Sequence, residues 1–445
     1  MKKRYDHIIK GGTILCMDAS FTVLEDHFIL IDDGKIVDIL PVDVIRDYRA
    51  DCVQDARNCL VIPALINAHS HLPMTYFRGL ADDLPLDKWL GEYIWPLEAK
   101  MVTGDFVYDA ALHGAAEMLK NGICLTNDMY FHCDKIAEAV TKAGMRAIVS
   151  YAIIERDPNT PHKSYEANML ALDEYCRDYP LVDCSFAPHA IYTCSKDLLK
   201  SAADFALKHD WLLHTHLSET RGELENCLKE HGKRPLDYLA DLGWLEAKCL
   251  FAHGVWLSNE ELKRLGKSRS AIAVCTDSNL KLASGFAPLK AMREQGVCYA
   301  LGSDGVASNN NLDLLEELST TSKLHKALNA DPEFLPAREA FAHVSIEAAK
   351  ALGKADSLGS LEKGKAADIC IIDTTNLQSS PLYNPYSQLL YAMGSHQMRD
   401  VMVAGTYAVQ DYRLTNLDEA ELVDTANRYK SKILRELNIE KYTKP

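Results

Sequence analysis

The sequence has no C-x-x-C pair, no long run of basic residues and no apolar stretch of transmembrane length. An odd count of thirteen scattered cysteines argues against a disulfide framework, so we expect free thiols in a reducing compartment. The opening MKKRYDHIIKGGTILCMDAS lacks the uninterrupted apolar core and the cleavage site of a signal peptide. Together these absences predict a cytoplasmic protein that does not enter a membrane.

The charge balance is also one-sided, with 48 Lys and Arg against 63 Asp and Glu and a net charge of −15. Nucleic acid and anionic membranes are therefore excluded as expected partners, and a small molecule is favoured. A chain of 445 residues with 47% hydrophobic content can bury a large core, which excludes disordered and fibrous classes.

Through the middle of the chain, apolar strand-like runs alternate with amphipathic helical stretches, a rhythm typical of a parallel barrel. The pattern predicts an α/β fold, a TIM-type (β/α)8 barrel over residues 63–360. Short strands around glycine turns in residues 1–62 and 361–416 predict one small β-sandwich domain built from both chain ends. Residues 417–445 read as a C-terminal helix and tail, with the helix beginning at Leu417 after an N-cap at Asn416. We expect this helix to pack on the barrel or on a neighbouring subunit of a homo-oligomer.

Polar side chains stand at the ends of the predicted barrel strands, which converge on one mouth. They are His69 and His71 in INAHSHLP, His189 in FAPHAIY, His216 and Glu219 in LLHTHLSET, His253 in LFAHGVW, and Asp304 in YALGSDG. Side chains two apart on a strand point the same way, so His69 and His71 can face one metal ion. With His216 and Asp304 they would supply nitrogen and oxygen ligands and leave positions open for water and substrate. His214 has no carboxylate at the matching offset, and we assign it a structural role.

Long sequence blocks carry a resemblance to a known family. They include PALINAHSHLPMTYFRGLADDLPLDKWL, WPLEAKM, NDMYF, APHAIYTCS, THLSET, AHGVWL, SNLKLASGFAPL and LGSDGVASNNNLDLLEE. In this order the blocks resemble the amidohydrolase superfamily, in particular its 5-methylthioadenosine/S-adenosylhomocysteine deaminase branch and the chlorohydrolase-like relatives. The resemblance implies a single divalent metal, usually Zn²⁺ with Fe²⁺ or Mn²⁺ as alternatives, on His69, His71, His216 and Asp304. It also implies that His253 faces the metal-bound water or the leaving group.

The residue types suit hydrolysis of a ring amine. In such a site a divalent metal lowers the pKa of water from about 15.7 to roughly 7. Asp304 can orient that water and accept its proton, while Glu219 is suited to protonate the ring nitrogen next to the attacked carbon. His253 can stabilise developing charge or help ammonia leave. We place His189 at the substrate, with a role in capping the fourth strand as the alternative.

Substrate identity depends on fewer residues. In the resembled branch the Glu of the W-P-L-E block binds the ribose hydroxyls, and here it is Glu98; the alternative is a surface Glu paired with Lys100 or Lys88. Where the family's nucleoside deaminases carry an Arg, this chain has Tyr151, and Arg156 is the candidate substitute.

The expected reaction is therefore zinc-dependent hydrolytic deamination of an adenine nucleoside: 5-methylthioadenosine, S-adenosylhomocysteine, adenosine or 5′-deoxyadenosine. The alternatives are deamination of guanine, a pterin or another free heterocycle, hydrolysis of an s-triazine, and a non-catalytic amidohydrolase-like binding protein.

Overall fold

The computed structural model describes residues 3–155 and 162–436. Eight strands form one parallel sheet, each neighbouring the next in chain order, as the sequence predicts. They are β8 Leu65–Ser70, β9 Ile123–Tyr130, β10 Arg146–Ile153, β11 Val182–Pro188, β12 Leu212–Leu217, β13 Lys248–His253, β14 Ala271–Val274 and β15 Cys298–Leu301, following seven strands in the first 63 residues. The (β/α)8 barrel expected from the alternating pattern is confirmed.

The first and eighth barrel strands close the sheet directly beside the polar residues at its mouth. A parallel bridge joins Ser70 to Asp304, and the Asp304 amide donates to the His69 carbonyl oxygen at 3.0 Å. Closure fixes the ends of these two strands against each other, so side chains about 235 residues apart in sequence become neighbours.

The seven N-terminal strands are β1 Arg4–Lys10, β2 Thr13–Leu15, β3 Val23–Leu24, β4 His27–Asp32, β5 Lys35–Pro41, β6 Arg49–Asp55 and β7 Cys59–Pro63. The C-terminal strands are β16 Ile369–Asp373, β17 Met398–Val403, β18 Thr406–Gln410 and β19 Arg413–Leu414. One sheet runs β19-β18-β17-β16-β7-β2-β3 and so joins both chain ends, while β5-β4-β1-β6 form a second sheet. Apolar side chains such as Ile9, Ile29, Val61 and Ile371 form a shared core between the sheets, which confirms the sandwich. The exact boundaries of the domains stay a prediction.

The helices occupy the stretches between barrel strands and the chain's C-terminal part. They are α1 Leu86–Lys88, α2 Trp95–Met101, α3 Gly104–Lys120, α4 Cys133–Ala143, α5 His162–Cys176, α6 Lys196–His209, α7 Arg221–His231, α8 Pro235–Asp241, α9 Asn259–Leu265, α10 Thr276–Lys281, α11 Leu289–Glu294, α12 Val306–Asn309, α13 Leu314–Leu328, α14 Ala337–Ala342, α15 Ile346–Ala351, α16 Pro385–Tyr391 and α17 Glu419–Glu436. Hydroxyl or carboxylate N-caps start many of them, for example Ser195 before α6 and Thr220 before α7. Within the described ranges, no helix is long and apolar enough to cross a membrane.

The last helix packs on the barrel, and its N-cap differs from the prediction. Asn416 is not the cap, because the Asp418 carboxylate accepts from the Ala420 amide at 2.8 Å and the helix begins at Glu419. Asn and Asp both favour this position, so sequence alone could not separate two candidates two residues apart. The Tyr429 hydroxyl donates to Asp109 of α3 at 3.0 Å, which holds α17 on the barrel.

Candidate metal centre and active site

Five of the polar residues predicted from strand ends meet at one point of the barrel mouth. His69 lies at the end of β8 with His71 just beyond it, His216 lies in β12, His253 ends β13, and Asp304 follows β15. Their ligand atoms form two overlapping groups, one of His69, His71 and His216 and one of His69, His253 and Asp304, each with its atoms within 4.8 Å of one another.

The spacing within the cluster matches a divalent ion. The Nε2 atoms of His71 and His216 lie 3.3 Å apart, and Asp304 Oδ1 lies 3.4 Å from His69 Nε2 and 3.3 Å from His71 Nε2. Ligands at about 2.0 to 2.1 Å from a tetrahedral ion are about 3.3 Å from each other. These three separations are therefore close to those between neighbouring ligands of a tetrahedral ion.

Hydrogen bonds on the far side of the rings orient these donors. His71 Nδ1 donates to the Met129 carbonyl oxygen at 2.6 Å, and His216 Nδ1 donates to the His189 carbonyl oxygen at 2.8 Å. His216 Nε2 consequently presents a lone pair, and His71 Nε2 presents one when its ring is neutral, as a metal ligand must be. His69 Nε2 is buried and has no hydrogen-bond partner among the described residues. Converging lone pairs and an unpartnered nitrogen fit a divalent metal.

The charges in the cluster agree with that fit. Burial lowers the pKa of His69 to about 4 and that of His216 well below its usual value, which keeps both rings neutral. Burial also acts on His71, but the Asp304 carboxylate outweighs it and raises that pKa to about 9. Although burial opposes ionisation of Asp304, the nearby rings of His69 and His71 hold its pKa well below the usual range. The Asp304 carboxylate is therefore ionised and attracts positive charge to this point.

His214 stands behind a metal-facing ring. Its Nε2 lies 2.9 Å from His69 Nδ1, and Asn127 Nδ2 lies 3.1 Å from its Nδ1. The structural role expected for His214 is thus a specific one, since it fixes the orientation of His69. Asn127 was not identified from the sequence, because a single amide in an apolar strand gives no periodic signal.

Asp304 is supported by two hydroxyl groups that the sequence analysis also missed. Ser278 Oγ and Ser308 Oγ donate to Asp304 Oδ2 at 2.6 and 3.0 Å, while Oδ1 faces the histidines. The backbone of Asp304 has φ of 59°, a left-handed conformation that is costly for a residue other than glycine. The hydroxyls and the bridge to Ser70 hold the carboxylate in this position.

Glu219 and His253 form the next layer around the cluster. Glu219 Oε2 lies 3.7 Å from His253 Nε2, and both side chains are buried. Burial raises the pKa of Glu219 above its usual value. His253 Nδ1 donates to Asn279 Oδ1 at 2.9 Å, so its Nε2 faces the site. Asn279 lies in the SNLKLASG block but was given no role from the sequence.

A pocket opens over the cluster. Its lining includes His71, His189, His216, Glu219, His253 and Asp304, and an apolar wall with Trp89, Ile94, Trp95 and Leu282. Glu98 also lines it, is buried, and accepts from the Tyr130 hydroxyl at 2.6 Å. A surface pairing of Glu98 is therefore wrong.

His189 is the remaining predicted substrate contact among the described residues. His189 lines the pocket, and its Nδ1 lies 3.1 Å from the Thr193 hydroxyl. Tyr151 is 42% exposed, and Arg156 lies outside the described residues. Asn309, Asn310 and Asn311 bond to protein groups, which supports a turn-shaping role.

A closed (β/α)8 barrel with three histidines and an aspartate at its strand ends defines a metal-dependent barrel hydrolase. Comparison with known proteins gives the family. The model of the amidohydrolase family matches residues 60–407, and the chain belongs to that family.

Individual relatives cover nearly the whole chain. It is 38% identical, over 94% of its length and 97% of the relative's, to a protein of Thermodesulfovibrio yellowstonii named 5-methylthioadenosine/S-adenosylhomocysteine deaminase. It is 37% identical, over 89% and 92% of the two lengths, to a protein of Methanothermobacter thermautotrophicus named 5′-deoxyadenosine deaminase. An adenosine deaminase from Xanthomonas campestris solved with bound zinc is 35% identical with a TM-score of 0.95, covering 98% of this chain and 100% of that one.

Proposed function

We propose that this protein catalyses the zinc-dependent hydrolytic deamination of adenine nucleosides, giving the inosine analogue and ammonia. The observation that carries the proposal is one pocket lined by the metal cluster and by two buried glutamates. Glu219 lies 3.7 Å from His253, and Glu98 accepts from the Tyr130 hydroxyl. The first suits a proton donor to the purine ring, and the second suits an acceptor for ribose hydroxyls.

His69, His71, His216 and Asp304 would hold the metal, which when bound supplies a water of pKa near 7 as a nucleophile. Two serine hydroxyls fix one oxygen of Asp304, so this carboxylate would be placed to accept a proton from the nucleophilic water. Glu219 delivers a proton to the adjacent ring nitrogen, a role favoured by its raised pKa. His253, held by Asn279, stabilises the charge that develops while ammonia leaves.

The nucleoside moiety is assigned through Glu98. A carboxylate accepts two hydrogen bonds from a vicinal diol, and the Tyr130 hydroxyl orients Glu98 from behind. His189 lines the same pocket and contacts the substrate in this proposal. Arg156 is the proposed contact for the group attached at the 5′ carbon.

The names of the relatives support this substrate class. Proteins named for 5-methylthioadenosine, S-adenosylhomocysteine and 5′-deoxyadenosine are 37% and 38% identical to this chain. Zinc is favoured among divalent metals because the similar adenosine deaminase was solved with zinc. We further propose a cytoplasmic homo-oligomer that does not bind nucleic acid, in keeping with the net charge of −15.

An ammonia-release screen tests the proposal. The substrates are adenosine, 5′-deoxyadenosine, 5-methylthioadenosine, S-adenosylhomocysteine, guanine, cytosine, a pterin and a chloro-s-triazine, for which chloride release is measured in place of ammonia. We expect release from the adenine nucleosides only. Turnover confined to a free base or the triazine would contradict the assignment of Glu98, and no turnover of any substrate by the metal-loaded protein would favour a non-catalytic binding protein.

A further inference from the structure

A second buried glutamate lies behind Glu219. Glu223, in the first turn of α7, is 7% exposed, and both of its carboxylate oxygens are used. Oε1 accepts from the Ser218 amide at 2.9 Å, and Oε2 accepts from the Glu219 amide at 2.8 Å. The carboxylate therefore binds the backbone amides of Ser218 and Glu219, which determine the position of the Glu219 side chain.

This arrangement departs from ordinary helix capping. Thr220 is the N-cap of α7 and Glu223 its third residue, the T-x-x-E spacing of a capping box. In a capping box the glutamate accepts from the N-cap amide, as Glu261 does from the Ser258 amide at 2.8 Å at the start of α9. Glu223 instead reaches past Thr220 to the two preceding residues, so its bonds serve the loop at the barrel mouth.

The backbone of that loop has an unfavourable conformation, which the surrounding hydrogen bonds stabilise. Ser218 has φ of 51°, in the left-handed region that residues with a side chain avoid. The Ser218 carbonyl oxygen accepts from the Trp256 amide at 2.9 Å, and Glu223 holds the amides on the other side. Two opposed sets of bonds thus fix the turn between the metal ligand His216 and Glu219.

We infer that Glu223 is a positioning residue for the reaction: its carboxylate fixes the Ser218–Glu219 backbone so that the Glu219 carboxyl group faces the substrate ring. The inference rests on the proposed function, in which Glu219 is the proton donor. Among the described residues, Glu223 itself belongs neither to the metal cluster nor to the pocket lining.

The first variant is Glu223→Gln, which keeps the length of the side chain but turns an NH₂ group toward one of the two amide N–H groups. We expect kcat to fall at least about tenfold with KM within about threefold of wild type, because proton delivery is lost rather than binding. Metal content should not change. Burial raises the pKa of Glu223 to about 7, so assays at about pH 8 keep the wild-type carboxylate ionised. Glu261→Gln is the matched control, a buried capping glutamate outside the pocket, and should keep kcat within about twofold.

The double variant Glu219→Gln with Glu223→Gln decides between positioning and general stabilisation. If Glu223 acts through Glu219, the double variant is no slower than Glu219→Gln alone. The inference is overturned if the two losses multiply, or if Glu223→Gln keeps the wild-type kcat while Glu219→Gln does not. Wild-type kcat in Glu219→Gln overturns the proton-donor assignment and the inference with it.

Discussion

Replacing Glu98 by alanine removes a carboxylate from the pocket lining. The other carboxylates among the described lining residues are Asp304 in the metal cluster and Glu219 beside it. Glu98 lies in α2, is 8% exposed, and receives the Tyr130 hydroxyl on Oε1 at 2.6 Å. A carboxylate offers about four acceptor sites, and the Tyr130 hydroxyl takes one of them. Two of these can accept the 2′ and 3′ hydroxyl groups of a ribose.

The size of the effect follows from those two bonds. A hydrogen bond to a charged group contributes about 1.5 to 3 kcal/mol, so losing two costs about 3 to 6 kcal/mol at most. This range corresponds to about 10² to 10⁴ in kcat/KM. Because water can occupy part of the space left by the side chain, we expect a drop of at least about tenfold for adenosine.

The assay compares adenosine with 2′,3′-dideoxyadenosine, which lacks the diol. Wild type should prefer adenosine strongly, and Glu98→Ala should erase the preference by lowering kcat/KM for adenosine alone. Glu92→Ala, a change at an exposed carboxylate shortly before α2, is the matched control and should behave as wild type. An unchanged preference in Glu98→Ala would contradict the assignment of Glu98 to the ribose diol and would favour substrates without a ribose.

Three further predictions follow from the site and the core. His69→Ala or His71→Ala should lose the bound divalent metal by elemental analysis, whereas a variant that keeps a full equivalent of metal would remove that residue from the ligand set. Glu219→Gln should lower kcat by about 10² or more, as loss of a general acid does, with metal content near wild type; parallel loss of metal would make Glu219 a ligand. Burial lowers the pKa of His325 from 6.5 to about 4, so this neutral ring stabilises the fold above pH 6.5 and the stabilisation is lost as pH falls toward 4. The free energy of unfolding, measured by urea titration, should therefore fall by about 3 kcal/mol less in His325→Gln than in wild type as the pH is lowered from 6.5 to 4. An unchanged pH dependence would show that the pKa of His325 is the same in the folded and unfolded states.

Much of the fold was predictable because the sequence patterns of its strands and of its helices each extend over only a few neighbouring residues. Buried parallel strands give apolar runs, and their alternation with amphipathic helices gives the barrel its rhythm. His69, His71, His216 and Asp304 could be grouped before the fold was known, since parallel strands bring their carboxyl ends together.

The supporting groups could not be predicted, because each acts across elements distant in sequence. His214 of β12 reaches His69 of β8, Asn127 of β9 bonds to His214, and Ser278 of α10 reaches Asp304. An isolated serine or amide gives no periodic sequence pattern. Its role depends on which polar groups lie within about 3 Å of it in the folded chain. Glu223 was hidden in another way, because its spacing from Thr220 is that of a common helix cap.

The most direct test of a metal-dependent nucleoside deaminase is a metal titration of chelator-treated protein with adenosine as substrate. We expect almost no ammonia release before metal is added. Activity should then rise linearly with added Zn²⁺ and level off at about one ion per chain. Full activity in protein shown by elemental analysis to hold no divalent metal would contradict this expectation.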